Sequence, residues 1–240
     1  LKPLPVHQPS RLVMLGRLRT SGNVGSASPQ QYQALAQLDG IASIGLTGTF
    51  RAMSNIAGGG MPVQVPTQYM DRHLLPTLGV APALGRNFNA REDAPNGPKA
   101  VMLSHGFWQR RYGGNRRVIG QQLQVEGVPH TIVGVLPASF ARLGKGTDIV
   151  LPTAFAAHSS NDSTNYFIVA RLSDGAEAAA VAARADARLH AIYRGKDAKY
   201  WKTTRFGAQP YSQWRNRDRR PVLLMFLASA VFVLLIAWVN

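Results

Sequence analysis

Between Tyr69 and Phe140 the chain alternates short apolar runs with glycine, proline and asparagine at close, regular intervals. That spacing suits short strands and a short helix packed together, and it predicts a compact α+β block. Leu78-Gly79-Val80 and Leu84-Gly85-Arg86-Asn87-Phe88 are short apolar pieces on either side of Pro82, and Ala100–Leu103 reads as a strand. Ser104 is placed to cap a helix carrying Phe107, Trp108, Arg111 and Tyr112. Gly113-Gly114 ends that helix, since glycine enters the left-handed cap conformation without strain. Leu123 and Val125 alternate with polar residues up to Glu126-Gly127, which predicts a hairpin turn. Thr131–Leu136 is then the returning strand, stopped by Pro137.

The flanks carry their own elements. Arg11–Leu15 is a candidate strand, and the Gly- and Ser-rich stretch from Arg17 to Ala27 a loop. Ser28, Pro29 and Gln31 form a helix start with a capping box, followed by an apolar stripe at Tyr32, Leu35 and Leu38; Gly40 ends it. Ile41–Phe50 alternates as a strand does, giving a βαβ-type unit, and Ala57–Gly60 with Pro62 reads as a flexible joint. Downstream, Tyr166–Leu172 is a strand and Ala176–Tyr193 a helix whose apolar positions Val181, Ala185, Leu189 and Ile192 recur at three and four. Thr203–Tyr211 is one more candidate strand. The outer segments are expected to pair into one subdomain, with the central block inserted as another.

Several of these pieces resemble a known family. LGVAPALGRNF, the acidic Glu92-Asp93, VMLSHGFWQRRYGG, VIGQQLQVEG, TIVGVLPASF and DIVLP (Asp148–Pro152) occur in the order found in the MacB-like periplasmic core domain of ABC transporter permeases, within the FtsX-like group. The resemblance extends to FIVARLSDG (Phe167–Gly175) and to Leu1–Leu15, so it covers most of the chain. It implies a two-subdomain extracytoplasmic α+β domain. Its split subdomain comprises 1–60 and 153–215, the inserted subdomain 61–152, and a truncated transmembrane helix 221–240. Leu1–Pro5 is similar to the segment that follows a first membrane helix in the family, so the chain is expected to be a fragment.

Val222–Val239 holds no charged residue. Eighteen residues at about 1.5 Å each span roughly 27 Å, just enough for a hydrocarbon core of about 30 Å, so this run is expected to cross the membrane. Arg215, Arg217, Arg219 and Arg220 precede it. The positive-inside tendency alone would put that flank in the cytoplasm, whereas the family resemblance puts residues 1–220 outside. The tendency is weak after long translocated segments. The net charge of +15 favours polyanions or anionic headgroups. The absence of cysteine excludes disulfides and thiolate chemistry.

No residue set points to catalysis. Ser104-His105 places a hydroxyl beside an imidazole without a G-x-S-x-G elbow, and Glu92-Asp93 lies in a loop bounded by Pro95 and Gly97. The six histidines show no metal-ligand spacing, and Gly58-Gly59-Gly60 is not followed by the lysine of a phosphate loop. Trp108 with Arg110 and Arg111 suits core packing better than base stacking. The expectation is therefore no catalytic, cofactor or metal site, and no cofactor. The resemblance implies a non-enzymatic permease domain of the bacterial inner membrane, working as a homodimer or paired half with a separate ABC ATPase, the lipid bilayer and, in some members, a periplasmic adaptor. Nucleic acid is not an expected partner. The alternative from charge alone is a basic, membrane-anchored module for anionic ligands or polymers.

Overall fold

The computed structural model describes residues 5–58, 60–144, 146–156, 162–193 and 203–216, with Met225 and Ser229. The predicted span Val222–Val239 therefore lies almost wholly outside the described residues, and no described helix is long and apolar enough to cross a membrane. Within the described residues the protein is a mixed α/β body.

Four strands build the first half: β1 (Leu12–Arg17), β2 (Ile41–Gly48), β10 (Tyr166–Leu172) and β11 (Phe206–Pro210). Their order is β11-β1-β10-β2, all neighbours antiparallel. Strands β1 and β2 thus run parallel with β10 between them, joined by helix α1 (Pro29–Leu35). Strands β10 and β11 run parallel with β1 between them, joined by α4 (Ala178–Ile192). The result is two interlocked split β-α-β units. The predicted capping box is present: Ser28 accepts from the Gln31 N–H, and the Gln31 side chain accepts from the Ser28 N–H. The helices cover one sheet face, where Val13, Leu15, Leu35, Leu46, Ile168 and Leu189 form an apolar core.

The second half closes on itself. Strands β3 (Ala52–Ala57), β4 (Val63–Met70), β6 (Ala100–Leu103), β7 (Gln122–Val125), β8 (Val128–Val135) and β9 (Ile149–Pro152) pair in the ring β4-β3-β7-β8-β6-β9-β4. The two-residue β5 (Leu84–Gly85) adds to β8. Closure removes exposed edges from this half. Its interior is filled by Ile56, Val101, Leu103, Leu123, Ile132 and Ile149. Helix α3 (His105–Tyr112) runs from Ser104 to Gly113, as predicted; the Ser104 hydroxyl accepts from the Phe107 N–H, and Gly113 is left-handed. Glu126 and Gly127 both have positive φ, the turn whose twist matches the hairpin β7–β8.

Sequence periodicity did not distinguish two strands. Residues Ala52–Ala57 and Val63–Met70 carry Ser, Asn, Gln and Pro66, yet pair as β3 and β4, and the glycine-rich stretch between them is their connection. The short helix α2 (Leu74–Leu78) was also not foreseen, because Pro76 interrupts its sequence. Proline is tolerated there because the first-turn N–H groups have no intrahelical partner.

A third core joins the halves. Leu12, Met14 and Val169, on the sheet face away from α1 and α4, pack with Met70, Leu74, Leu78, Phe140 and Tyr211. Both faces of β1 are therefore buried, which explains its unbroken apolar run. Gly45 lets α2 approach β2: a Cβ there would lie 2.4 Å from the Leu74 Cα.

Candidate functional site

The two ends of the described body meet on this joining core. At the N-terminal end Val6 packs against the core, and the His7 N–H donates to the Leu78 carbonyl at 3.2 Å. Gly79 caps α2 in the left-handed conformation, and a Cβ there would sit 2.5 Å from the His7 Cβ, so only glycine admits the segment. Arg171 on β10 ties three pieces together. Its Nε donates to the Thr77 carbonyl at 3.0 Å and its Nη2 to the His7 carbonyl at 2.8 Å. Arg11 reaches back to the Leu172 carbonyl at 2.9 and 2.7 Å. Its ion pair with Asp174 contributes little, because that carboxylate is 94% exposed.

At the C-terminal end, helix α5 (Tyr211–Asn216) follows β11 directly. Tyr211 is buried and stacks on Trp214, with ring centroids 6.2 Å apart; Trp214 meets Phe167 edge-on at 4.8 Å. Burial pushes the Tyr211 phenol up from its ordinary range. Arg215 Nη2 donates to the Arg142 and Leu143 carbonyls at 2.7 and 2.5 Å, fastening α5 to the closed half. Arg217, Arg219 and Arg220 lie outside the described residues. Val6 and Trp214 pack against one and the same core, so the two ends share a foundation.

The sequence-predicted polar candidates are occupied elsewhere. The Ser104 hydroxyl is the α3 cap, and the His105 ring meets Trp108 edge-on at 5.5 Å. Trp108 Nε1 donates to the Asn115 carbonyl at 2.9 Å. Arg110 pairs with Asp148 at 2.6 Å, and Arg111 donates to the Gly58 and Met61 carbonyls, fixing the β3–β4 connection to α3. Glu92 is gripped by both Arg86 nitrogens at 2.8 and 2.6 Å, which holds its carboxyl below the usual range. Asp93 accepts from the Arg72 N–H at 2.8 Å, the Ala154 N–H at 3.1 Å and the Thr153 hydroxyl at 3.3 Å. These acids therefore staple loops.

Sequence reasoning missed the most perturbed acid. Asp71, 4% exposed between β4 and α2, accepts from the Leu46 N–H at 2.9 Å and from the Tyr32 hydroxyl. Burial pushes its carboxyl up to about 7; the Leu46 and Tyr32 hydrogen bonds pull the other way. Burial and the neighbouring Asp71 push the Tyr32 phenol far upward. The available signal was Tyr32 itself: a tyrosine in an apolar stripe needs a partner for its hydroxyl. Both oxygens of Asp71 are used within the protein, so the pair fastens α1 to the α2 junction. Among the described residues no group of three His, Asp or Glu is placed to hold a metal ion.

Comparison with known proteins agrees with this geometry. The profile described as MacB-like periplasmic core domain matches residues 6–188. No curated protein matches the chain. A domain of a permease-type protein from Porphyromonas gingivalis is similar at 18% identity and TM-score 0.63, covering 86% of this chain and 93% of that one. The extracellular domain of a noncanonical ABC-type transporter, YknZ, from Gram-positive bacteria is similar at 13% identity and TM-score 0.58, covering 82% and 99%. The periplasmic region of MacB from Actinobacillus actinomycetemcomitans is similar at 12% identity and TM-score 0.60, covering 89% and 93%. At these identities the structures establish a shared fold.

Proposed function

The chain belongs to the family of MacB-like periplasmic core domains, found in ABC transporter permeases of the FtsX-like group, and from that premise we propose that it is a non-catalytic coupling element. In this reading it transmits ATP-driven motion of membrane helices to export or to periplasmic partners. A separate ABC ATPase supplies the energy, and a second permease half, the same chain or a paired one, lies beside it in the same membrane. Residues 1–220 lie outside the inner membrane, and Val222–Val239 carries the chain back into it. The alternative, a basic membrane-anchored module for anionic ligands or polymers, accounts for the charge of +15 and the uncharged run but gives no reason for both ends being fastened to one core.

One observation carries the proposal: both ends of the described body are fastened to a single buried core. The Arg171 contacts and the His7–Leu78 hydrogen bond hold one end; Tyr211, Trp214 and Arg215 hold the other. A displacement of either end therefore moves the body as a whole. A close-packed core is bistable or stiff, and does not stretch continuously.

The test is a flexible Gly-Ser stretch inserted between Arg220 and Pro221 in the permease assembled with its ATPase. Transport should fall while ATP hydrolysis persists. Unchanged transport would remove mechanical coupling from the account. In parallel, the intact chain should resist carbonate extraction from membranes, and a version ending after Asn216 should be released.

A further inference from the structure

A cavity of about 200 Å³ opens beside the joining core, next to α5. Its apolar walls include Met14, Leu78, Phe140, Val169, Tyr211 and Trp214. For scale, a cavity of about 150 Å³ lined by Leu, Ile and Phe stays dry and takes up benzene, so this one has room for a ring or a short alkyl group.

The polar part of the lining is selective in sign. Thr47 donates its hydroxyl to the Tyr69 carbonyl, Thr49 to the Asn165 carbonyl, and Gln68 Nε2 to Thr47 and the Gly48 carbonyl. Those donors are spent within the protein. Two cations also line the space, Arg51 and Arg215, and among the described residues no carboxylate does. Arg215 holds the Arg142 and Leu143 carbonyls. Arg51 is exposed, lies with Nη1 3.2 Å from a Cβ built at Gly146, and has no hydrogen-bond or ion-pair partner among the described residues. An apolar pocket with a guanidinium at its edge and no opposing acid favours a ligand of one kind.

We propose that this cavity is a binding site for a small amphipathic anion, with an apolar group of ring or short-alkyl size inside and a carboxylate, sulfonate or phosphate against Arg51. The site is independent of the coupling role, since it requires no motion and no ATPase. Its position against Tyr211 and Trp214 nevertheless places the ligand in contact with the helix that leads out of the domain.

The experiment is calorimetric titration of the full chain in phosphatidylcholine nanodiscs, with empty nanodiscs as the blank. The probe is 4-phenylbutyrate; 4-phenylbutanamide and 4-phenylbutylamine are the uncharged and cationic controls. Saturable binding of the carboxylate, with the amide and the amine each at least about tenfold weaker, is the expected result. Arg51→Ala should weaken the carboxylate by about tenfold or more, the loss of one charge-assisted hydrogen bond. Thr47→Phe should abolish binding by filling the space; Thr47 lines the cavity and pairs with Phe167, whose ring packs on the same core. If that variant does not fold, Arg51→Ala decides alone, because Arg51 is on the surface. Repeating the titration in phosphatidylglycerol nanodiscs at high ionic strength, which screens repulsion of the anion from the charged surface, separates the sources. Weaker apparent binding there identifies a lipid headgroup as the natural occupant, and unchanged binding a dissolved solute. No saturable heat for the wild-type chain, equal binding of the amine, or an unaltered affinity in Arg51→Ala would overturn the proposal.

Discussion

Replacing Asp71 by asparagine should change the pH dependence of stability in a defined direction. In the folded protein burial raises the Asp71 carboxyl from 3.8 to about 7. The folded state therefore holds this proton over a range where the unfolded chain has already released it. By linkage, the contribution is most favourable below about pH 4 and is lost as pH rises towards 7. At about 1.36 kcal/mol for each tenfold difference in proton affinity, the ceiling is about 4 kcal/mol between pH 4 and pH 8. Asparagine keeps an oxygen for the Leu46 N–H and cannot ionise. Asp71→Asn should thus match or trail the wild type by about 1 kcal/mol at pH 4.5, where a neutral acid is replaced by a neutral amide. At pH 8 it should be the more stable of the two, by a few kcal/mol at most. Urea unfolding of residues 1–216 at both pH values measures this directly, with Tyr32→Phe as a companion that removes the hydroxyl donor. A stability difference between wild type and Asp71→Asn that is flat across this range, or that favours the wild type more at pH 8, would refute the argument that burial dominates at this carboxyl.

Other outcomes follow from the same contacts. Arg171→Ala removes two charged donors to the His7 and Thr77 carbonyls and should cost about 2 kcal/mol in urea unfolding, with hydrogen exchange at the His7 amide rising most. Ser104→Ala should cost about 1 kcal/mol through loss of the α3 cap, while His105→Ala stays within about 0.5 kcal/mol, and neither should alter transport more than about twofold. The division into a split half and an inserted block is a proposal that the pairing of β3 refines: residues 51–152 should melt cooperatively alone, whereas 62–152, lacking a strand of the ring, should not. Calorimetry with Mg-ATP should show no binding, because Gly58-Gly59-Gly60 is not followed by a phosphate-binding lysine; a saturable micromolar signal would contradict this.

The elements legible in the sequence are those whose signals are local. The capping box at Ser28 and Gln31, the cap of α3 at Ser104 and its stop at Gly113, and the Glu126-Gly127 turn each depend on a few neighbouring residues, and each stands where it was read. Strands β3 and β4, hairpin partners of each other, were obscure because their alternation is blurred: Ser54 and Thr67 are buried while Met53 and Tyr69 are exposed; Pro66 further disguised β4, though it faces Met53 across the pair. Ring closure through β4 and β9 joins Tyr69 to Leu151, a separation at which no periodicity survives. The fastening of the two ends was equally hidden. Arg171 looks like an ordinary charged residue at a strand end, and only the folded chain brings the His7 and Thr77 carbonyls to it.

The absence of cysteine in this domain helps to make the central claim measurable, because introduced cysteines are then its only thiols. Spin labels at Gln8, on the fastened N-terminal end, and at the exposed Gln121, before β7, report distances within and between domains in the paired permease with its ATPase. Electron–electron double resonance is recorded without nucleotide and with the ATPase trapped by vanadate. The account predicts that the Gln8–Gln121 distance within one domain stays fixed while the Gln121–Gln121 distance between paired domains changes. A changing distance within the domain, with the distance between domains constant, would contradict transmission by a rigid body.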